Sequence, residues 1–406
     1  MNTAIVIGGG IGGLGAALGL ARAGRRVTVL EQADDFGTVG AGVMLTPNAV
    51  RALHWLGLSD RLRTLDAAQG ITGIRTASGR WLMQGDVREV RRRFGVSEYA
   101  LHQADVHAWL VGALRQTELC TGHQVTAVDP STGTVTFLRP DGETGSRSAE
   151  LVVAADGRYS PTRARLFPHH AGMTYAGYLT WQGVVPAEAA AGIDASRALI
   201  ESWGRGQRFG FMAVTGGQVS WYATLSAPPH AYAETSIDTV ARLFRDWHDP
   251  IPRLLAATPP ESLLRQGIYS LEAPLPTYAR KRVVLLGNAA HAPDFGQGVA
   301  QALEDAATLG QLAARLPTAQ ALVVGYDLAR RERTQRLARA SAAWGRVAQW
   351  RNPVQVALRN GLVWSTPHSV YLRSMSEIYS WTPESTLGAQ DGAASDTTTT
   401  APKANS

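Results

Sequence analysis

The sequence predicts an α/β fold with an inserted β-rich layer and a helical C-terminal region. Three observations point there. Residues 3–7 form a short apolar run ending in glycines, 11–23 carry small and apolar residues at helical spacing, and 26–31 alternate like a strand. Together they make a β-α-β unit, which implies a parallel sheet with helices packed on it. From about 174 to 268 the pattern becomes aromatic-rich alternation, as in 208–212 and 219–222, a period suited to strands. From 323 to about 379 it is helical, interrupted by Pro353 and Pro367.

The remaining elements follow from local signals. Residues 48–58, preceded by Pro47, and 104–114 read as amphipathic helices. Segments 73–80 and 134–139 alternate with a glycine nearby, as in antiparallel hairpins. Residues 151–155 and 282–286 read as buried strands, and 297–316 as a helix whose small residues face the sheet. From 383 to 406 the chain turns to Ser, Thr, Gly, Ala and Asp, with four consecutive threonines. Such a stretch lacks the apolar surface to offset its ordering entropy and is expected to be disordered.

Composition narrows the function. A chain of 406 residues with 45% hydrophobic content can bury a large core in two or three units. The net charge is +6; of 39 basic residues only Lys281 and Lys403 are lysines, so 39 minus 2 leaves 37 arginines. They are scattered, which argues against nucleic acid. The densest clusters, 88–93 and 330–339, are interrupted by Glu89 and Glu332 and read as solvated faces. The alternative for both is an electrostatic lure for an anionic substrate or a nicotinamide phosphate. Cys120 is the only cysteine, so no intramolecular disulfide forms. The first strand starts next to Met1, leaving no room for a secretory leader, and no uncharged apolar run approaches the roughly 20 residues of a membrane span. The expectation is a cytoplasmic monomer or homodimer with no nucleic-acid or membrane partner.

Three motifs carry chemistry. In Gly8-Gly9-Gly10-Ile11-Gly12-Gly13, Gly8 allows the tight turn, Gly10 lets backbone approach a pyrophosphate, and Gly13 lets helix and strand pack closely. The helix start offers free N–H groups to phosphate, and Glu31, closing the second strand, can accept from ribose hydroxyls. Asp156-Gly157 sits at the carboxyl end of a buried strand, placed either to meet a cofactor hydroxyl or to cap a helix. The third motif, Gly287-Asn288-Ala289-Ala290-His291 to Gly296-Gln297-Gly298, again follows a buried strand and feeds a helix.

In their order, with Gly40-Ala41-Gly42, Pro47-Asn48-Ala49 and Glu304-Asp305-Ala306, these motifs resemble the single-component flavoprotein monooxygenases typified by para-hydroxybenzoate hydroxylase. The resemblance spans roughly residues 1–320. It implies a Rossmann-like FAD-binding domain over 1–72, 98–173 and 269–322 and a β-rich substrate domain over 73–97 and 174–268, beyond which the helical pattern sets a C-terminal region over 323–382. It implies FAD held throughout turnover, NAD(P)H as a visiting reductant, and oxygen transfer to an electron-rich aromatic or polycyclic small molecule. By position it assigns Gly8, Gly10 and Gly13 to the pyrophosphate, Glu31 to the adenosine ribose, Val125 to the adenine, and Asp156 to FAD and NAD(P)H. Gly42, Gly287, Pro293, Gly296, Gln297 and Gly298 fall among the flavin-side positions.

Three departures stand out. Asn288 replaces the aspartate that usually accepts from the ribityl hydroxyls, Gln103 stands where an arginine usually approaches the pyrophosphate, and the segment from 292 to 295 is shorter by a residue or two. Two charged groups of opposite sign thus become amides. The short loop either reshapes the pocket or marks the loss of oxygenation, leaving a cyclisation or rearrangement as the alternative reaction. No catalytic residue can be singled out. His291 reads as hydrogen-bonded scaffolding or as an acid-base group, and Tyr175, Tyr178, Trp181, Trp203 and Tyr222 as core or as cavity wall. No cluster has metal-ligand spacing.

Overall fold

The computed structural model describes residues 2–37, 40–233, 235–293 and 296–385. The tail from residue 386 onward and two positions of the short loop, 294 and 295, therefore lie outside the described residues.

The central sheet has six strands in the order Ala279–Arg280, Val283–Leu285, Leu151–Ala154, Thr3–Ile7, Arg26–Leu30 and Glu118–Cys120. All pairs are parallel except the first. Val6, Val29, Val152, Val153, Val283, Val284 and Leu285 are wholly buried, as a sheet covered on both faces requires. Helix Ile11–Arg22 returns from the first strand, and helix Gly298–Arg315 packs on it. The small residues of Gly298–Arg315 were expected to face the sheet; they face this neighbouring helix instead. A Cβ on Gly15 would stand 3.0 Å from that of Ala306, and one on Gly310 would stand 2.7 Å from the Gly19 Cα. Glycine and alanine on both sides allow an approach that larger residues would prevent.

A second, seven-stranded sheet runs Leu264–Leu271, Met173–Val185, Val219–Ser226, Gln207–Ala213, Ile200–Trp203, Ile71–Thr76 and Trp81–Asp86. Its pairs are antiparallel except Ile200–Trp203 with Ile71–Thr76. One face is apolar: Trp181, Phe209, Phe211, Trp221 and Ala223 pack with Val240, Phe244, Leu254 and Leu255 from the short helices Ile237–Phe244 and Ile251–Ala256. The other face turns toward the strand Gly42–Leu45, whose first N–H donates to Ser220 Oγ at 2.7 Å. A small three-stranded sheet, 124–148, flanks the central one. Helices Ala319–Ala348, Pro353–Ser365, His368–Ser374 and Ser376–Tyr379 close the chain. No described helix is long and apolar enough to cross a membrane.

Candidate active site

The glycine-rich turn joins strand Thr3–Ile7 to helix Ile11–Arg22. Gly8 has φ +101°, and a Cβ there would stand 2.5 Å from the Ala155 carbonyl oxygen; on Gly13 it would stand 2.0 Å from the Gly8 oxygen. Both positions therefore need glycine for backbone contact. Gly10 is different, because nothing lies within 4 Å of its would-be Cβ. It caps the helix with no side-chain partner, so the first N–H groups point into open space. The Glu31 carboxylate reaches this loop, accepting from Gly9 N–H at 2.5 Å and Ala33 N–H at 2.8 Å. His107 Nε2 lies 2.7 Å from the Gly9 oxygen and braces the far side.

Asp156 lies against the Gly8 turn, its Cα 3.3 Å from the would-be Gly8 Cβ. Its carboxylate accepts from Ser160 Oγ at 2.5 Å and Thr162 N–H at 3.0 Å, so it caps helix Pro161–Leu166 from outside while Ser160 caps it from within. Arg163, buried in the same helix, donates to the Ala289 and Asn288 carbonyls at 3.1 and 3.4 Å, tying the second motif to the third. Arg158 donates to the Pro293 carbonyl at 3.4 Å.

Gly287 and Asn288 form a tight turn after strand Val283–Leu285. A Cβ on Gly298 would stand 3.5 Å from Asn288 Oδ1, so this amide sits at the uncapped start of helix Gly298–Arg315. Asn288 Oδ1 and Gln297 Oε1 are both buried with no hydrogen-bond partner. Orphaned buried acceptors cost free energy unless a ligand hydroxyl or N–H meets them. Gly296, with φ +100°, leaves open space at its would-be Cβ. Gln103 opens helix Gln103–Ala113 and packs its side chain 2.9 Å from the would-be Cβ of Gly40. Val125 lies apart in strand Gln124–Asp129, linked to the site where His123 N–H donates to the Glu31 oxygen at 2.7 Å. Two uncapped helix starts, a glycine gap and two unpartnered amide oxygens suit a phosphate-bearing, hydroxyl-rich cofactor such as FAD.

Behind the third motif lies a buried charge network. Asp305 Oδ2 accepts from Gly287 N–H at 2.9 Å and His291 Nε2 at 2.7 Å, and Oδ1 from Arg330 Nε at 2.6 Å. Glu304 accepts from Arg330 at 2.7 Å, Arg333 at 2.9 Å and Asn48 at 2.6 Å. Burial opposes charge on Asp305, yet His291 and Arg330 hold its carboxyl well below the usual range. His291 is held by Asp305 and nearly shut off from solvent. The 330–339 cluster is not uniformly solvated: Arg330 is wholly buried and Arg333 partly so, because both answer carboxylates on the facing helix. The 88–93 arginines do lie exposed on helix Arg88–Phe94.

The cavity wall resolves which aromatics face inward. In the sheet registers Glu201, Gly210, Tyr222 and Gln182 form one row, and Trp203, Arg208, Thr224 and Thr180 the next. Tyr222 and Trp203 therefore share the face toward Gly42, whereas Trp181 belongs to the apolar face. Tyr175 is held apart, donating to the Ala227 oxygen at 2.7 Å. Tyr222 donates to Glu201 Oε1 at 2.5 Å, Arg208 lies 3.4 Å from the same oxygen, and its guanidinium stands 5.6 Å from the Tyr178 ring. Burial, then Glu201, raises the Tyr222 phenol well above its ordinary pKa. A small cavity of about 20 Å³ opens between this face and the Ala41-Gly42 segment, lined by Gln182, Met212, Ser220 and Tyr222. Sequence reading missed Glu201 and Arg208; charged residues within an alternating aromatic strand pattern were the available signal. No described His, Cys, Asp or Glu cluster could hold a metal.

Comparison with known proteins agrees with this geometry. A family model described as an FAD binding domain matches residues 1–341. The chain is 32% identical over 372 residues to the aurachin C monooxygenase/isomerase of Stigmatella aurantiaca, covering 89% of this chain and 93% of that one. It is 32% identical over 338 residues to the 3-amino-4-hydroxybenzoate 2-monooxygenase of Streptomyces cremeus, covering 81% and 83%. The crystal structure of Klebsiella pneumoniae HpxO with FAD and uric acid superposes with a TM-score of 0.82 at 27% identity, covering 92% of this chain and 95% of that one.

Proposed function

The chain belongs to the FAD binding domain family of flavoprotein monooxygenases, and on that premise we propose that it uses NAD(P)H and O2 to hydroxylate or epoxidise an aromatic or polycyclic small molecule. The observation that carries this reading is the polar pair Tyr222 and Gln182 facing Gly42 across a small cavity, with Glu201 beside them in the same row and bonded to Tyr222. Bound FAD supplies oxygen activation and transfer to an electron-rich ring. The chain supplies the rest.

Gly8, Gly10 and Gly13 make room for the pyrophosphate, and the N–H groups after Gly10 meet its charge. Glu31 retains lone pairs for the ribose beyond its bonds to Gly9 and Ala33. Asn288 and Gln297 would offer their unpartnered oxygens to ribityl and ring-side donors of bound FAD, and the uncapped start of helix Gly298–Arg315 would favour negative charge beside it. Tyr222 positions a substrate hydroxyl, holding its own proton toward Glu201 while Arg208 pairs with the same carboxylate.

A second reading, cyclisation or rearrangement without net oxygenation, is favoured by one fact: a relative's name joins monooxygenase to isomerase. The experiment is flavin absorbance of the purified protein, then NAD(P)H oxidation and oxygen uptake with candidate aromatic substrates. Substrate-stimulated oxidation with oxygen consumed supports oxygenation. Substrate conversion with neither overturns it in favour of rearrangement.

A further inference from the structure

Helix Pro353–Ser365 is built inside out. Its one charged residue, Arg359, is 1% exposed, donating to the Ala348 and Gly204 carbonyls at 2.7 and 3.0 Å and lying 5.1 Å from the Trp203 ring centre. Its outward face carries Val354, Leu358 and Leu362 at i, i+4 and i+8, with Trp364 beside them, exposed by 76, 58, 58 and 70%. An ordinary surface helix places these residues the other way round. A contiguous exposed apolar face of this kind marks an interaction site.

The charge around it says what it meets. Residues 333–376 contain seven arginines and no aspartate or glutamate. Arg339, Arg346, Arg351 and Arg373 are exposed and form no ion pair with any described residue. Trp344 adds a further aromatic, 46% exposed, against Trp203. A second copy would bring two such arginine sets together, which opposes self-association. The chain's own residues 386–406 contain one large apolar side chain, Leu387, too little to cover the stripe. An apolar helix face, tryptophans at its margin and unpaired arginines on either side in sequence are what an anionic lipid surface requires.

We infer that helix Pro353–Ser365 and its arginine-rich flanks dock this enzyme on an anionic membrane surface, with the helix lying in the interface rather than crossing it. At 13 residues the helix is about 20 Å long. It ends beside an open groove of about 300 Å³ lined by Trp364, Pro367 and His368 together with Trp81 and Met83.

The test is co-sedimentation of the FAD-loaded full chain with vesicles of phosphatidylcholine alone or with about one third phosphatidylglycerol. Binding to the anionic vesicles at least about tenfold stronger, and weakening with salt, is expected. L358E/L362E should lose nearly all binding while keeping its flavin absorbance and melting temperature. R346E/R351E should lose the preference for anionic lipid. Failure to bind anionic vesicles overturns the inference, as does unchanged binding by L358E/L362E. It is equally overturned if the chain ignores vesicles but binds polyglutamate, or is a dimer that L358E/L362E dissociates.

Discussion

Arg330 Nε donates to Asp305 Oδ1 at 2.6 Å, with both side chains shut off from solvent. Through the other oxygen of the same carboxylate, the Gly287 N–H is held at 2.9 Å. One guanidinium on the long C-terminal helix thus fixes the turn that presents Asn288. R330M removes the one guanidinium that pairs with buried Asp305, leaving it His291 and the Gly287 N–H, since among the described residues the only carboxylate Arg333 meets is Glu304. We expect a loss of about 3–5 kcal/mol in denaturant unfolding, together with release of FAD. Wild-type stability in R330M would refute the network's role.

The two ends of the pH scale act through different carboxyls. Glu304 and Asp305 are lowered despite burial, by Arg330, Arg333 and His291, so their contribution is present above the unfolded carboxylate range and is lost as pH falls below it through their lowered folded values. Glu98 has the opposite sign. Burial pushes it from 4.5 to about 7, so the native state binds the extra proton and stability declines as pH rises between these values. The full penalty is on the order of 3 kcal/mol. E98Q should flatten the melting temperature between pH 5 and 8 and exceed wild type at pH 8; parallel curves would show that Glu98 ionises freely.

Asn288 should weaken FAD retention. A neutral amide forms weaker hydrogen bonds to ribityl hydroxyls than a carboxylate, and its oxygen now lies buried without a partner. Wild type is expected to lose part of its flavin on extensive dialysis, and N288D to bind roughly tenfold tighter. The ratio of flavin to protein absorbance after dialysis measures this, and equal retention would contradict it.

Two glycines separate folding from binding. G13A forces a Cβ to 2.0 Å from the Gly8 oxygen and should yield misfolded protein. At Gly10 the added methyl meets only open space, so G10A should melt like wild type without cofactor yet bind FAD far less. Circular dichroism and flavin titration distinguish the two; FAD binding by G10A at wild-type strength would place the pyrophosphate elsewhere.

Tyr222 should act on substrate rather than on flavin. Y222F removes the hydroxyl donated to Glu201, and we expect kcat/KM to fall by about 10²-fold with FAD content unchanged. An unaltered kcat/KM would remove Tyr222 from the proposed cavity.

Much of the fold is legible in the residues because it is local. The β-α-β unit, helices near 48–58 and 104–114, and the helical C-terminal region all show in periodicity and turn chemistry. Arg330 does not. It occupies the inward stripe Tyr326, Arg330, Thr334, Leu337, where spacing alone marks it as buried, but only the facing pair Glu304 and Asp305 makes an arginine tolerable there. The same holds for Glu201 and Arg208, which meet Tyr222 across strands whose register the sequence does not state. Helices Ile237–Phe244 and Ile251–Ala256 were missed within the aromatic alternation, although Ser236, which caps the first, is a helix-start residue. Helix 353–365 was legible as a helix, but not as one turned outward.

The strand registers also constrain how the chain is born. Val152, Val153 and Ala154 pair with Val283, Val284 and Leu285, and Ile200–Trp203 pairs in parallel with residues 73–76. During synthesis the glycine-rich turn emerges first, yet the sheet that supports it stays incomplete until residue 285 has left the ribosome. Such distant pairings fold slowly, and they leave strand edges exposed in the nascent chain. A fragment ending before residue 283 is therefore expected to aggregate rather than fold as a smaller nucleotide-binding protein.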